Sequence, residues 1–223
     1  MAGMCAAALP MTVGFDLDMT LIDSRPGIRA TYEALAVETG VAVDAELAVS
    51  RLGPPLEHEL AHWFAAEHIP EMVVRYRALY EVHAFRPTLP MPGALAALAA
   101  LREAGGRSLV VTAKNEPHAR THLEHLGMRA DAVAGSLWAE AKAEALREHG
   151  ATALVGDHVG DVRGARAAGV TAVAVATGPC DEAELRAAGA DVVLPDLHAF
   201  EAWLREGVQD PRAVADGPRV ATG

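Results

Sequence analysis

Short apolar runs and longer amphipathic stretches alternate along most of this chain, and the alternation is interrupted once. The first run, Val13-Gly-Phe15, reads as a buried strand that passes directly into Asp16 and Asp18. Residues 24–87 then hold only helical patterns, over 26–40, 44–50, 55–68 and 70–85, with Asp23 or Ser24 capping the first and Pro26 in its opening turn. From Met91 the pattern changes. Val- and Ala-rich strands over 107–111, 132–134, 153–155, 171–176 and 192–194 alternate with helices over 95–103, 116–126, 140–148, 161–168, 182–188 and 197–205. Helices between successive strands imply a parallel sheet covered on both faces. The pattern therefore predicts an α/β fold, a doubly wound parallel sheet formed by residues 11–23 and 88–206, with an inserted α-helical cap domain over 24–87. An insertion of that length exceeds any ordinary loop. Residues 1–10 and the polar, proline-containing stretch 207–223 are expected to be disordered.

Composition narrows the setting. A chain of 223 residues, 51% hydrophobic, can bury roughly 70% of its unfolded surface, enough for one sizeable domain and a small inserted one. The formal net charge of -11, with no basic run, argues for no nucleic acid partner and no anionic membrane surface. No apolar run reaches the roughly 18 residues of a membrane span. Cys5 and Cys180 form neither a disulfide framework nor a C-x-x-C zinc pair, and residues 1–10 are too short and insufficiently basic for a secretory signal. A reducing compartment, the cytoplasm, is the expectation.

Asp16 and Asp18 carry the first chemical signal. On an extended strand end they project from the same side, where two like charges repel unless a cation or a reacting group uses both. Mg2+ suits one or two carboxylates with its remaining positions open to water and phosphate oxygens. One carboxylate could then attack phosphorus while the other shuttles a proton. In open α/β sheets ligands sit beyond the carboxyl ends of the strands. Thr112 after 109–111 and Asp157 after 153–155 fall at the same end as Asp16, and Asp161 lies one helical turn beyond Asp157. The chain's two lysines, Lys114 and Lys142, both lie in this apparatus, where a compact positive charge serves a phosphate or a crowded aspartate.

These residues resemble the haloacid dehalogenase-like hydrolases, most nearly the phosphoglycolate phosphatase-like branch with a helical cap after the first strand. The resemblance spans about 12–204 and is carried by Phe15-Asp-Leu-Asp-Met-Thr-Leu-Ile-Asp-Ser24, Leu52-Gly-Pro-Pro-Leu56, Val111-Thr-Ala-Lys114, Lys142 and Val155-Gly-Asp-His-Val-Gly-Asp161. It implies a Rossmann-like core and a phosphatase acting on a small phosphorylated metabolite. Asp16 would be the nucleophile that forms an aspartyl-phosphate, and Asp18 the general acid and base. Thr112 and Lys142 would hold the phosphoryl oxygens. Mg2+ would be held by Asp16, the Asp18 main-chain carbonyl and Asp157, with Asp161 in support. Met19, His158 and Ala143 depart from residues the family often uses at these places, though none removes a reacting group.

The resemblance leaves a sugar-phosphate mutase open, because it uses the same two aspartates and differs chiefly in shielding the phosphoenzyme from water. A dehalogenase is disfavoured by Asp18, phosphonate cleavage by the absence of a lysine from 25–87, and a non-catalytic binding role by the full set of reacting groups. Arg51 and Gly53, in the loop 51–55, and Lys114 are the candidates for contacting the organic part of the substrate. One competing motif comes from another class. His58-Glu-Leu-Ala-His62 matches the zinc-protease pattern H-E-x-x-H, with His68 at the spacing of a third ligand. Ala65 stands where the chain would need Gly to turn, and in a continuous helix His68 lies about 240° from His62, so the segment reads as an amphipathic helix instead.

Overall fold

Strand β1 (Thr12–Phe15) is buried along its whole length, as a continuous apolar run at the centre of a sheet requires. It belongs to a computed structural model that describes residues 11–209. After the Asp16 turn come β2 (Ile22–Asp23) and four helices: α1 (Arg25–Thr39), α2 (Ala45–Ser50), α3 (Leu56–Leu60) and α4 (Ile69–His83). The chain returns through β3 (Leu89–Pro90), α5 (Ala94–Glu103), β4 (Arg107–Val111), α6 (Glu116–His125), β5 (Ala132–Ala134) and α7 (Lys142–Glu148). It finishes with β6 (Ala151–Gly156), α8 (Val159–Ala168), β7 (Thr171–Val175), α9 (Glu182–Ala187), β8 (Val192–Leu194) and α10 (Phe200–Gln209).

Six strands form one parallel sheet in the order β5-β4-β1-β6-β7-β8. The order reverses direction at β1, which pairs with β4 on one side and β6 on the other, so the carboxyl ends of these three strands open on a common crevice. Two apolar clusters flank the sheet. One packs Phe15, Val110 and Val155 against α5, α6 and α10, and the other packs Leu109, Leu154 and Val111 against α7, α8 and α9. The helices between β2 and β3 have a third cluster of their own. Ile28, Tyr32 and Leu35 of α1 meet Met72, Val73, Tyr76 and Tyr80 of α4, residues three or four apart that share one helical face.

Three details differ from the sequence reading. Residues 55–68 are not one helix: α3 stops at Leu60 and a separate 3-10 turn covers Ala66–His68. Five residues leave too few internal hydrogen bonds for α3 to propagate by itself, and Ala65 is extended. Next, β2 and β3 pair antiparallel in a two-residue ribbon that no periodicity could announce. Finally, α10 continues to Gln209, carrying Gly207 inside the helix at about 1 kcal/mol relative to alanine, so residues 207–209, expected to be disordered, are helical. Residues 1–10 and 210–223, both expected to be disordered, lie outside the described residues. Among the described residues no helix is long and apolar enough to cross a membrane.

Candidate active site

The turn that follows β1 arranges the site. Asp16 still belongs to the sheet, donating its backbone N–H to the Val155 carbonyl at 2.8 Å. The chain then reverses tightly, with the Met19 N–H bonded to the Ile22 carbonyl and Met19 itself in the left-handed region at φ 61°. A buried Met in that region costs of order 1 kcal/mol, and the Thr177 hydroxyl, donating to the Met19 carbonyl at 2.7 Å, helps to hold it.

Asp16 faces Lys142, which opens α7 and is 1% exposed. The Lys142 Nζ donates to Asp16 Oδ1 and to Asp161 Oδ1, each at 2.6 Å. Burial works against the Lys142 charge, but the two carboxylates outweigh it and hold the ammonium above its ordinary range. Burial pushes the Asp16 carboxyl up to about 7 against the pull of Lys142, with Asp161 and Asp18 adding to the rise. Asp157, at the end of β6, is raised well above its ordinary range by burial and then by Asp16 and Asp161. It accepts from the Thr20 hydroxyl at 2.7 Å, and a Cβ on Gly178 would lie 1.7 Å from its Oδ2, so only glycine fits beside it.

Asp16, Asp157 and Asp161 each offer an oxygen within 4.8 Å of the others. Three carboxylates, a hard oxygen set whose mutual repulsion a positive charge would relieve, fit a divalent cation such as Mg2+. The Asp18 side chain is not in this group, so its expected share in the metal site rests on the main-chain carbonyl.

His158 caps α8. Its Nδ1 accepts from the Gly160 N–H at 2.9 Å, while Asp161 Oδ2 accepts from the His158 N–H at 3.1 Å, a reciprocal cap on α8. Gly53 (φ 132°) is needed opposite, because a Cβ there would stand 2.7 Å from the His158 ring. Ala143 is buried within α7.

On the other side of Asp16 lies Asp18. It accepts from the Ser24 hydroxyl and lies 3.1 Å from the Lys114 Nζ. Burial alone would raise the Asp18 carboxyl, but Lys114 and Ser24 together hold it below the usual carboxylate range. Lys114 in turn donates to the Tyr80 hydroxyl of α4 at 2.7 Å and sits 4.6 Å from that ring's centre. Tyr80 is bonded to His122 Nε2 at 2.7 Å and stacks on His118. Neither Tyr80 nor His122 was a sequence candidate. The available signal was Tyr76 and Tyr80, and His118 and His122, each pair four apart on one helix.

A cavity of about 120 Å³ lies between the helical insertion and the strand ends, lined by Asp16, Asp18, Thr112, Lys114, Arg51 and Gly53 among others. It thus brings six of the nine candidates to one space, while Lys142, Asp157 and Asp161 stand behind Asp16. Thr112 receives the Lys114 backbone N–H on its hydroxyl at 3.1 Å. Arg51 is engaged by Glu59, with Nε to Oε2 at 3.0 Å and Nη2 to Oε1 at 2.5 Å. Glu59, the central residue of the zinc-protease motif, is therefore occupied by Arg51 and by Trp63 Nε1 at 2.9 Å. His58, His62 and His68 are all exposed, and the metal-capable cluster among the described residues does not include them.

Comparison with known proteins agrees with this arrangement. Residues 13–175 match the family described as haloacid dehalogenase-like hydrolase. The tyrosine-protein kinase PtkA of Mycobacterium tuberculosis is 34% identical over 183 residues, which cover 76% of this chain and 63% of that protein. The chain thus spans less than two thirds of the mycobacterial relative's length. A phosphoglycolate phosphatase of Rhodospirillum rubrum is 33% identical over 221 residues, 88% of this chain and 91% of that one. Among solved structures, a haloacid dehalogenase-like hydrolase from Streptococcus pneumoniae superposes with a TM-score of 0.78 at 26% identity, covering 87% of this chain and 98% of its own. The paired aspartates at the sheet's point of reversal, the lysine behind them and the matched sequence lead to one assignment: the chain belongs to the haloacid dehalogenase-like hydrolase family.

Proposed function

We propose that this chain is a Mg2+-dependent phosphatase that hydrolyses a small phosphorylated metabolite through an aspartyl-phosphate, with the insertion acting as a cap over the site. The observation that carries the reading is the division of labour between neighbouring carboxylates. Asp16 is backed by a buried lysine and two further acids, whereas Asp18 is turned away toward Lys114 and Ser24. Asp16, Asp157, Asp161 and the Asp18 main-chain carbonyl would hold Mg2+, which when bound supplies charge neutralisation for the carboxylates and the phosphoryl oxygens.

The chain's own residues then act in sequence. An Asp16 oxygen attacks phosphorus, and the bond from phosphorus to the leaving oxygen breaks. Asp18 gives that oxygen its proton, then accepts one from the water that attacks the aspartyl-phosphate, releasing phosphate and restoring Asp16. The free Asp18 is held ionised by Lys114, and the arriving phosphate dianion opposes that pull, returning the proton affinity the first step needs. Lys142 and Thr112 position the phosphoryl oxygens, since phosphoryl transfer depends chiefly on placement and charge.

Release of phosphate from p-nitrophenyl phosphate, lost with EDTA and regained with Mg2+, tests the reading. In 18O water, a single-turnover reaction should leave label in Asp16 if water attacks the carboxyl carbon, and in phosphate alone if it attacks phosphorus. Trapping of a phosphorylated Asp16 in acid is the result the proposal requires, and its absence under conditions of rapid turnover would sink it. A second reading, transfer of that phosphoryl group to an acceptor hydroxyl, is favoured by the likeness to a relative named as a tyrosine-protein kinase. It predicts phosphorylated acceptor in place of free phosphate when tyrosine peptides or sugar phosphates are supplied.

A further inference from the structure

The cavity above Asp16 has an unusual charge balance. Apart from Asp16 itself, its charged lining consists of three cations, each facing a carboxylate that also lines it. Arg51 is held by Glu59 on two nitrogens, Lys114 lies 3.1 Å from Asp18, and Arg77 faces Glu57 at 3.7 Å at the more exposed end. His118 lies 3.5 Å from Glu81, and burial holds its imidazole below its ordinary range. The remaining wall is largely apolar and aromatic, with Tyr32 and Tyr76 ring to ring at 4.7 Å.

Arg77 keeps an Nε without a hydrogen-bond partner, but at the more exposed end; nearer the phosphoryl site a second anionic group would find Arg51 and Lys114 already engaged by Glu59 and Asp18. It would instead enter a small, partly desolvated space beside Glu59 and Asp18, where like charges interact strongly. We infer that the substrate is a phosphomonoester whose organic part is uncharged, and that the Arg51–Glu59 pair enforces this by masking a guanidinium that lines the cavity. This rests on the phosphatase reading above and narrows it. It also separates this chain from what the names of its phosphoglycolate phosphatase relatives say of them.

Two substrates isolate the charge. Phosphoglycolate and 2-hydroxyethyl phosphate differ only in a carboxylate against a hydroxymethyl group, so the ratio of their kcat/KM values reads the organic part alone. The wild-type chain should favour 2-hydroxyethyl phosphate by about tenfold or more. Glu59→Gln keeps an acceptor for Trp63 but frees the Arg51 charge, and should shift the ratio toward phosphoglycolate by about tenfold. Arg51→Met leaves Glu59 unpaired, and should move the ratio the opposite way. Because each ratio is taken within one preparation, partial loss of folded protein cancels. A wild-type preference for phosphoglycolate would overturn the inference, and its loss in Arg77→Gln would assign the recognition to the outer cation. An unmoved ratio in Glu59→Gln and Arg51→Met would overturn the masking role. If no phosphate is released from either ester or from p-nitrophenyl phosphate, the phosphatase reading itself fails and takes this inference with it.

Discussion

The two lysines occupy opposite sides of one turn and have different neighbours. Lys142 is enclosed by the sheet domain and divides its charge between Asp16 and Asp161, all anchored at strand ends or helix starts. Lys114 reaches outward, joining Asp18 to Tyr80 on the helical insertion. One cation fixes a carboxylate within a rigid frame, and the other ties a carboxylate to an element that stands on a separate apolar cluster. Position at the strand ends is therefore guaranteed by the sheet for Asp16, but for Asp18 it depends in part on where α4 lies.

The sharpest way to break this comparison is at Asp16. Asp16→Asn should lower turnover by about 10^4-fold or more, measured as phosphate release, because the neighbouring carboxylate, Asp18, is turned toward Ser24 and Lys114. Lys142→Met should come next, lowering kcat by about 10^3-fold and destabilising the fold by about 3 kcal/mol in denaturant titration, since it leaves Asp16 and Asp161 without their cation. Lys114→Met should cost less, about 10- to 50-fold in kcat, with Tyr80→Phe losing about threefold. Equal effects of Lys142→Met and Lys114→Met on stability would erase the distinction between the two lysines.

The smallest effect concerns pH. Burial and the nearby Lys114 bring the His122 imidazole down from 6.5 to about 3. Between those values the unfolded chain holds a proton that the folded chain does not, so this residue makes stability fall as pH drops from about 6.5 toward 3. His122→Gln should flatten the loss, by about 1 kcal/mol between pH 6.5 and 5 in the difference from wild type, measured by thermal or urea unfolding.

Much of this was legible along the chain for a physical reason: a strand buried on both faces must be continuously apolar, so polar residues at its end stand out. Asp16, Thr112 and Asp157 were found in that way, and the lysines by their rarity. What depended on tertiary packing was not legible. Arg51 was read as a candidate for touching substrate, and it does line the cavity, but its pairing with Glu59 crosses from the end of α2 to α3. Glu59 was weighed within a metal motif because three histidines surround it in sequence, yet the chain breaks after Leu60 and exposes them. Tyr80 fits an amphipathic helix as an ordinary core residue, and nothing in that spacing distinguishes a hydroxyl that reaches Lys114. The left-handed Met19 was visible as a departure from the usual small residue, but not the Thr177 bond that accommodates it.

The ribbon of β2 and β3 has only two residue pairs, Ile22 with Pro90 and Asp23 with Leu89. It nevertheless brings the exit and return of the inserted segment to neighbouring strand spacing, about 5 Å. A segment hung from one such doorway is a cassette: another of different size could replace it without moving a single pairing in the six-stranded sheet. Exchange at this doorway would alter what stands over Asp16 and Asp18 while the strand ends that carry them keep their places.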